Sequence, residues 1–297
     1  MRKYQKILVI VGPTSSGKSA LAVKLARKFN GEVIAADSRQ VYRGLDIGTG
    51  KITKREAQGV RHHLLDIASP KRTFTANDFA ERASLAIDDI AGRGKLPIVT
   101  GGTGFYVDTL TGRIALPNVA PNAKLRAQLE KMTVKQLFVL LKKKDPRRAK
   151  TIEPHNKRRL IRALEIARAL GHVPPTRSHT TYNVLWLGIA PPMKELGRKI
   201  AVRLHSRIKQ GMITEAKRLH ARGLSYQRMQ ELGLEYRALA RHLQGKITRA
   251  QMVEELNRDI RRYAKKQLAY WKRNEKIRWF AREQRKKIPK VVKNWLR

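Results

Sequence analysis

From Lys6 to Val11 the chain reads KILVIV, an apolar run without polar alternation, and a Gly-rich stretch follows at once. A short run apolar on both faces and bounded by turn residues predicts a strand buried on both sides. Residues 18–29 (KSALAVKLARKF) change period. Leu21, Ala22, Leu25 and Phe29 recur at helical spacing, and Asn30-Gly31 is a stop signal. Residues 32–36 (EVIAA) and 96–100 (LPIVT) read as two more buried strands. Between them, Thr75-Ala-Asn-Asp78 has capping-box chemistry for a helix to about Gly92. Strands alternating with helices, buried on both faces, predict an α/β fold with a parallel sheet.

The pattern changes after Gly112. Residues 113–182 carry helical segments and many charges but no convincing strand, as expected of a helical insertion. Residues 184–190 (VLWLGIA) return to strand character, and Pro191-Pro192 ends them. Thr248-Arg-Ala-Gln251 is a second capping box, opening a long helix to about Lys272. The final stretch, REQRKKIPKVVKNWLR, is strongly basic and is expected to fray. The predicted organisation is a core over 1–112, a helical insertion over 113–182, and a completion of the core with basic helices over 183–297.

With 297 residues, of which 41% are apolar, the chain can bury a sizeable core. Cysteine is absent, which excludes disulfides, thiolate metal sites and a cysteine nucleophile. The run Ile7–Val11 is too short for a signal-peptide core or a bilayer span, so a cytoplasmic protein without a membrane partner is expected. Charge changes the picture most. The formal net charge is +42, with +8 over residues 1–112, +13 over 113–182 and +21 over 183–297. An excess concentrated outside the first segment points to a polyanion such as RNA. A general basic bias without a dedicated partner is the plainer alternative.

Gly12-Pro13-Thr14-Ser15-Ser16-Gly17-Lys18-Ser19 matches G-x-x-x-x-G-K-[ST], with the required strand before it and helix after it. Glycines let backbone N–H groups curl around a phosphate, and the helix N-terminus adds its positive end. Lys18 is suited to neutralise the terminal phosphate and the Ser19 hydroxyl to ligate Mg²⁺. The expected core is therefore a P-loop NTPase-like parallel sheet that binds a nucleotide or another diphosphate. The loop alone does not name the reaction. LPIVT ends in Gly101-Gly102-Thr103-Gly104 rather than in the metal-binding acid of a motor or GTPase, which favours group transfer.

Asp37 follows the second strand directly, where parallel sheets hold their ligands. From position alone its carboxylate has three possible roles: a water-mediated Mg²⁺ contact, a general base, or a cap for the next helix. Thr103, after the neighbouring strand, lies within reach of the same group. His62-His63 lacks further ligands at metal-binding spacing. Arg158, Arg159 and Arg162 fall on one predicted helix face and Leu160, Ile161 and Leu164 on the other, which suits phosphate contact.

The ordered set GPTSSGKS, ADSRQVYRGLDIGTGK, RHHLLDI, FTANDF, IVTGGTGFY, HNKRRLIRALEI, LGLEYRAL and YAKKQLAYWKRN resembles the tRNA dimethylallyltransferase family from about Ile7 to Asn274. The resemblance implies transfer of a dimethylallyl group from dimethylallyl diphosphate to N6 of the adenosine 3′ of the anticodon. It implies that the phosphate loop and Arg203 hold the diphosphate and that Asp37 is the general base for the amine. Thr103 is then a residue that positions that amine, with Ser38, Arg39 and Gln40 at the flipped nucleotide. Arg126, Arg158, Arg159, Arg162, Lys265, Lys266 and Gln267 match tRNA-contacting positions, as does the segment Met229–Leu234. Trp271 falls in the same late motif, but a lone indole at helical spacing is expected in the core. Without cysteine there is no zinc finger of the kind eukaryotic members add, so a bacterial-type enzyme is expected; separately, a monomer is expected. A small-metabolite kinase and a nucleotide-switched RNA-binding protein remain alternatives at this point.

Overall fold

A computed structural model describes residues 4–174 and 182–297. In chain order its elements are β1 (Gln5–Val11), α1 (Lys18–Lys28), β2 (Gly31–Ala35), α2 (Lys54–Ala57), β3 (His62–His63), α3 (Ala76–Gly92), β4 (Leu96–Gly101) and α4 (Gly104–Leu110). Then come α5 (Ala123–Glu130), α6 (Val134–Lys144), α7 (Pro146–Thr151), α8 (Lys157–Leu170), β5 (Tyr182–Ile189) and α9 (Met193–Lys209). The last are α10 (Met212–Ala221), α11 (Tyr226–Leu232), α12 (Leu234–Leu243), α13 (Arg249–Trp271), β6 (Arg278–Phe280), a 3₁₀ turn (Glu283–Lys287) and α14 (Ile288–Leu296). Among the described residues no helix is long and apolar enough to cross a membrane.

The chain forms two compact units, one of residues 1–113 with 180–297 and one of residues 114–179. In the first, the described strands make one sheet in the order β3-β2-β4-β1-β5-β6, with every pairing parallel. β1 is central, and Ile7, Leu8, Val9, Ile10 and Val11 have no solvent contact, as a strand covered on both faces requires. The chain leaves β1 towards β2 on one side and later reaches β5 on the other. The carboxyl end of β1 is thus the crevice where such sheets bind ligands.

Both predicted capping boxes form. Thr75 accepts from Asp78 N and Thr248 from Gln251 N, each with the reciprocal bond. Tyr182 opens β5 in register with Gln5, so the sheet resumes one residue inside the stretch read as helical. A second core lies among α9–α13, with Leu204, Met229, Tyr236, Leu239, Met252 and Leu256 at its centre.

The C-terminal stretch does not fray. Ile288 and Val292, one helical turn apart, are fully buried against Leu25 of α1 and Leu187 of β5. Each buried side chain of this size contributes about 1.5–3 kcal/mol, which anchors α14 while its basic residues stay in water.

The second unit has its own core of Leu125, Leu129, Leu137, Leu141, Leu160 and Leu164. Asn122, Thr133, Asp145 and Asn156 each cap the helix that follows.

Candidate active site

The phosphate loop joins β1 to α1 with the backbone its glycines permit. Gly12 has φ +153°, and a Cβ there would lie 2.3 Å from the Ile189 carbonyl oxygen of β5. Gly17 stands at φ +89° as the N-cap of α1, and Ser15 also has positive φ. The loop is braced from two directions. Thr14 N donates to Gln267 Oε1 at 2.8 Å, and Arg285 Nη2 donates to the Ser16 carbonyl at 3.2 Å. Lys18 Nζ donates to the Pro13 carbonyl at 3.3 Å.

A cleft of about 510 Å³ opens here, lined by Lys18, Ser19, Asp37, Arg203, Tyr263 and Gln267 among others. Burial pushes the Lys18 ammonium down to about 8, with the Asp37 charge opposing and Arg203 reinforcing the shift. Burial, followed by the Asp37 charge, pushes the Tyr263 phenol up to about 12. Two cations and a helix N-terminus around one cleft make an anion site.

Asp37 lies just beyond β2. Its Oδ1 accepts from Arg39 N at 2.9 Å and Gln40 N at 3.3 Å, so one oxygen does cap the turn that follows. Thr103 Oγ1 accepts from Ser38 N at 3.0 Å, and Thr103 N donates to the Ala36 carbonyl at 3.2 Å. The two loops approach this closely because Gly101 has no side chain: a Cβ there would lie 2.0 Å from the Ala36 carbonyl oxygen. Arg203 Nη2 donates to the Gly50 carbonyl at 2.9 Å, and a Cβ on Gly50 would meet that guanidinium. Gln40 reaches the Thr49 and Gly50 carbonyls at 3.5 Å. Arg39 donates through Nε to the Leu232 carbonyl and through Nη1 to the Ser38 carbonyl, so its guanidinium is partly engaged within the protein.

The wall that carries Thr49 and Gly50 rests on residues that sequence reasoning missed. Buried Glu215 accepts from Asp46 N, Ile47 N and Gly48 N at 3.0, 2.7 and 2.9 Å, and from the Tyr236 hydroxyl at 2.8 Å. Arg207 donates to the Gly48 carbonyl at 2.8 Å and pairs with Glu235 at 3.2 Å. The available signal was a charged residue inside an apolar stripe: Met212, Glu215, Ala216 and Leu219 share the buried face of α10.

The basic residues divide. Lys265 and Lys266 are exposed on α13, whereas Gln267 is only 6% exposed and has both ends of its amide engaged inside the protein. Met229 and Leu232 of the expected RNA segment are buried, and Trp271 is core, 1% exposed. In the second unit Arg126 and Arg162 turn inward to Glu165, Arg159 pairs with Glu153 at 3.0 Å, and Arg158 is exposed. His63 pairs with Glu32 at 2.7 Å, while His62 meets the Val60 carbonyl through Nδ1 at 2.9 Å and also lines the cleft. Among the described residues no cluster of three or more His, Asp or Glu could hold a metal by itself.

The family model described as IPP transferase matches residues 40–274. The tRNA dimethylallyltransferase of Anoxybacillus flavithermus is 38% identical over 93% of this chain and 90% of its own length. That of Leuconostoc citreum is 42% identical over 89% and 90%. The crystal structure of the Bacillus halodurans tRNA isopentenylpyrophosphate transferase superposes with a TM-score of 0.75 at 36% identity, covering 99% of this chain and 97% of that one. A eukaryotic dimethylallyltransferase captured acting on tRNA superposes at 0.82 with 27% identity, covering 93% and 74%. With a phosphate loop, a facing carboxylate and relatives that match nearly end to end, the chain belongs to the IPP transferase family.

Proposed function

We propose that this chain transfers the dimethylallyl group of dimethylallyl diphosphate to N6 of the adenosine 3′ of the anticodon in tRNA, releasing diphosphate. The carrying observation is the juxtaposition, in one cleft, of Lys18 and Arg203 with Asp37. The first two suit a departing diphosphate and the third a proton leaving an amine. N6 attacks the allylic carbon as its C–O bond breaks, and the N6 proton passes to the Asp37 oxygen that is not engaged in the turn. Lys18, Arg203 and the loop amides stabilise the charge that builds on diphosphate. Thr103 fixes the loop that carries Asp37 through Ser38 N.

Mg²⁺ fits a donor set of this kind. The ion commonly keeps its waters and takes substrate phosphates with one or two protein groups, and Ser19 and Asp37 both line the cleft. When bound, it would offset diphosphate charge, with Ser19 as its direct protein ligand.

For the nucleic acid, the reading rests on the charge of +42, on Ser38, Arg39 and Gln40 at the cleft, and on exposed Arg158, Lys265 and Lys266. The target base must leave its stack to bring N6 to Asp37. We take the enzyme to act as a cytoplasmic monomer.

The test incubates the protein with dimethylallyl diphosphate, Mg²⁺ and unmodified total tRNA, and then analyses the digested RNA by mass spectrometry. A prenylated adenosine that depends on both substrates is the expected product. Its absence with folded protein, together with phosphorylation of a small acceptor from ATP, would replace this reading with a kinase.

A further inference from the structure

Gln267 sits on the buried seam of α13, in the run Leu256, Ile260, Ala264, Gln267, Trp271 that faces the core. A glutamine there needs partners for both halves of its amide, and it has them. Oε1 accepts from Thr14 N at 2.8 Å, in the phosphate loop. Nε2 donates to the Gly102 carbonyl at 2.9 Å, in the loop after β4. The next residue, Thr103, accepts from Ser38 N, and Ser38 follows Asp37.

We infer that Gln267 is a positioning residue that fixes the distance between the diphosphate site and the Asp37 site, and not a tRNA contact. This rests on the function proposed above. In-line displacement needs the amine, the allylic carbon and the leaving oxygen aligned, so the separation of the two loops is a catalytic variable. The sheet sets it only at the strand ends, where β1 and β4 pair up to Val11 and Gly101; beyond those residues the two loops have no ladder between them. One rigid amide spans them. Gly102 confirms the closeness of the fit: a Cβ there would lie 2.1 Å from Gln267 Nε2, so any larger residue displaces the amide.

The two limbs can be broken separately. Gln267→Glu keeps an acceptor for Thr14 N but sets a carboxylate oxygen against the Gly102 carbonyl. Gln267→Met removes both bonds at similar volume. Gly102→Ala pushes the amide away without altering it. Steady-state prenyl transfer is measured with wild-type protein and the three variants, varying dimethylallyl diphosphate and tRNA independently. Thermal unfolding and tRNA binding are measured alongside.

The expected result for Gln267→Glu is a kcat lower by about 100-fold, the scale of a misplacement near 1 Å, with KM for dimethylallyl diphosphate and Kd for tRNA within twofold of wild type. Gln267→Met lowers kcat and also raises that KM. Gly102→Ala follows Gln267→Glu. An unchanged kcat with weakened tRNA binding would overturn the inference in favour of an RNA contact. A kcat loss that vanishes once corrected for the unfolded fraction would reduce Gln267 to a packing residue. If Gln267→Met does not fold, the glutamate and Gly102 variants carry the same decision. The two readings fail separately: no transfer by wild-type protein ends the proposed function, whereas equal transfer by wild type and variants ends only the role of Gln267.

Discussion

Arg126 grips Glu165 at both oxygens: Nε to Oε1 and Nη2 to Oε2, each at 2.7 Å, with 1% of the Glu165 side chain open to solvent. Burial alone would raise the Glu165 carboxyl. Hydrogen bonds from Arg126, Asn122 N and Arg162 outweigh it and hold the carboxyl below its usual range. Removing Arg126 leaves this buried charge under-paired. Arg126→Ala is expected to destabilise the protein by about 2 kcal/mol, read by urea unfolding of the full chain. Exposed Arg158 is the contrast. Arg158→Ala should change stability by less than about 0.5 kcal/mol while lowering the salt dependence of tRNA binding by about one counterion.

The same carboxyl gives a pH dependence. A group held low in the folded state contributes stability that is complete above its unfolded pKa and lost as pH falls through the folded one. Glu32, hydrogen-bonded by Arg93, Lys95 and His63 and likewise held well below the usual range, acts in the same direction. Stability should therefore fall as pH drops below about 4, and Glu32→Gln should remove part of that slope in acid titrations followed by circular dichroism.

Lys18 titrates in the opposite sense. With its ammonium pushed down to about 8, it is charged below that pH and neutral above it. Affinity for an anionic diphosphate should weaken as pH rises through about 8, by at most about tenfold per unit for one proton. Lys18→Arg, which stays charged, should flatten that part of the profile in calorimetric titrations with dimethylallyl diphosphate. In the free protein the unfolded chain binds this proton more tightly, so the Lys18 contribution to stability rises between about 8 and its unfolded pKa near 10.4.

Asp37→Asn keeps an acceptor for Arg39 N and Gln40 N but cannot take a proton. Single-turnover transfer should slow by about 10²–10⁴-fold, with diphosphate binding retained. Full activity in this variant would assign the proton to another group.

The last helix is open to a direct test. Ile288 is fully buried, so Ile288→Ala should cost about 2–5 kcal/mol. Because Arg285 precedes it and holds the Ser16 carbonyl, the same variant should raise KM for dimethylallyl diphosphate in steady-state assays.

What could be read in advance was local. The phosphate loop, both capping boxes and the strand ending in Gly101 are written in consecutive residues. The α14 seam was hidden because Ile288 and Val292 are outnumbered by lysines, and a burial partner such as Leu25 lies far away in sequence. The two-residue strand β3 has no periodicity to detect and exists only because Val33 and Ile34 pair with it. The arginines that match RNA contacts could not be divided into inward and outward ones. Glu165 meets Arg126 across 39 positions, a relation that only folding creates. Gln267 was visible as a polar residue in a motif, but its role depends on two loops that converge in space.

Glu215 reaches from α10 to three successive amides and so settles residues 46–48 before any substrate arrives. Fixing a backbone residue costs about 1–2 kcal/mol of conformational entropy. For this stretch that loss occurs once, at folding, and is not repeated at each encounter. On the protein side this wall is therefore preorganised, and the conformational change that recognition still requires falls on the nucleic acid, whose target base must leave its stack.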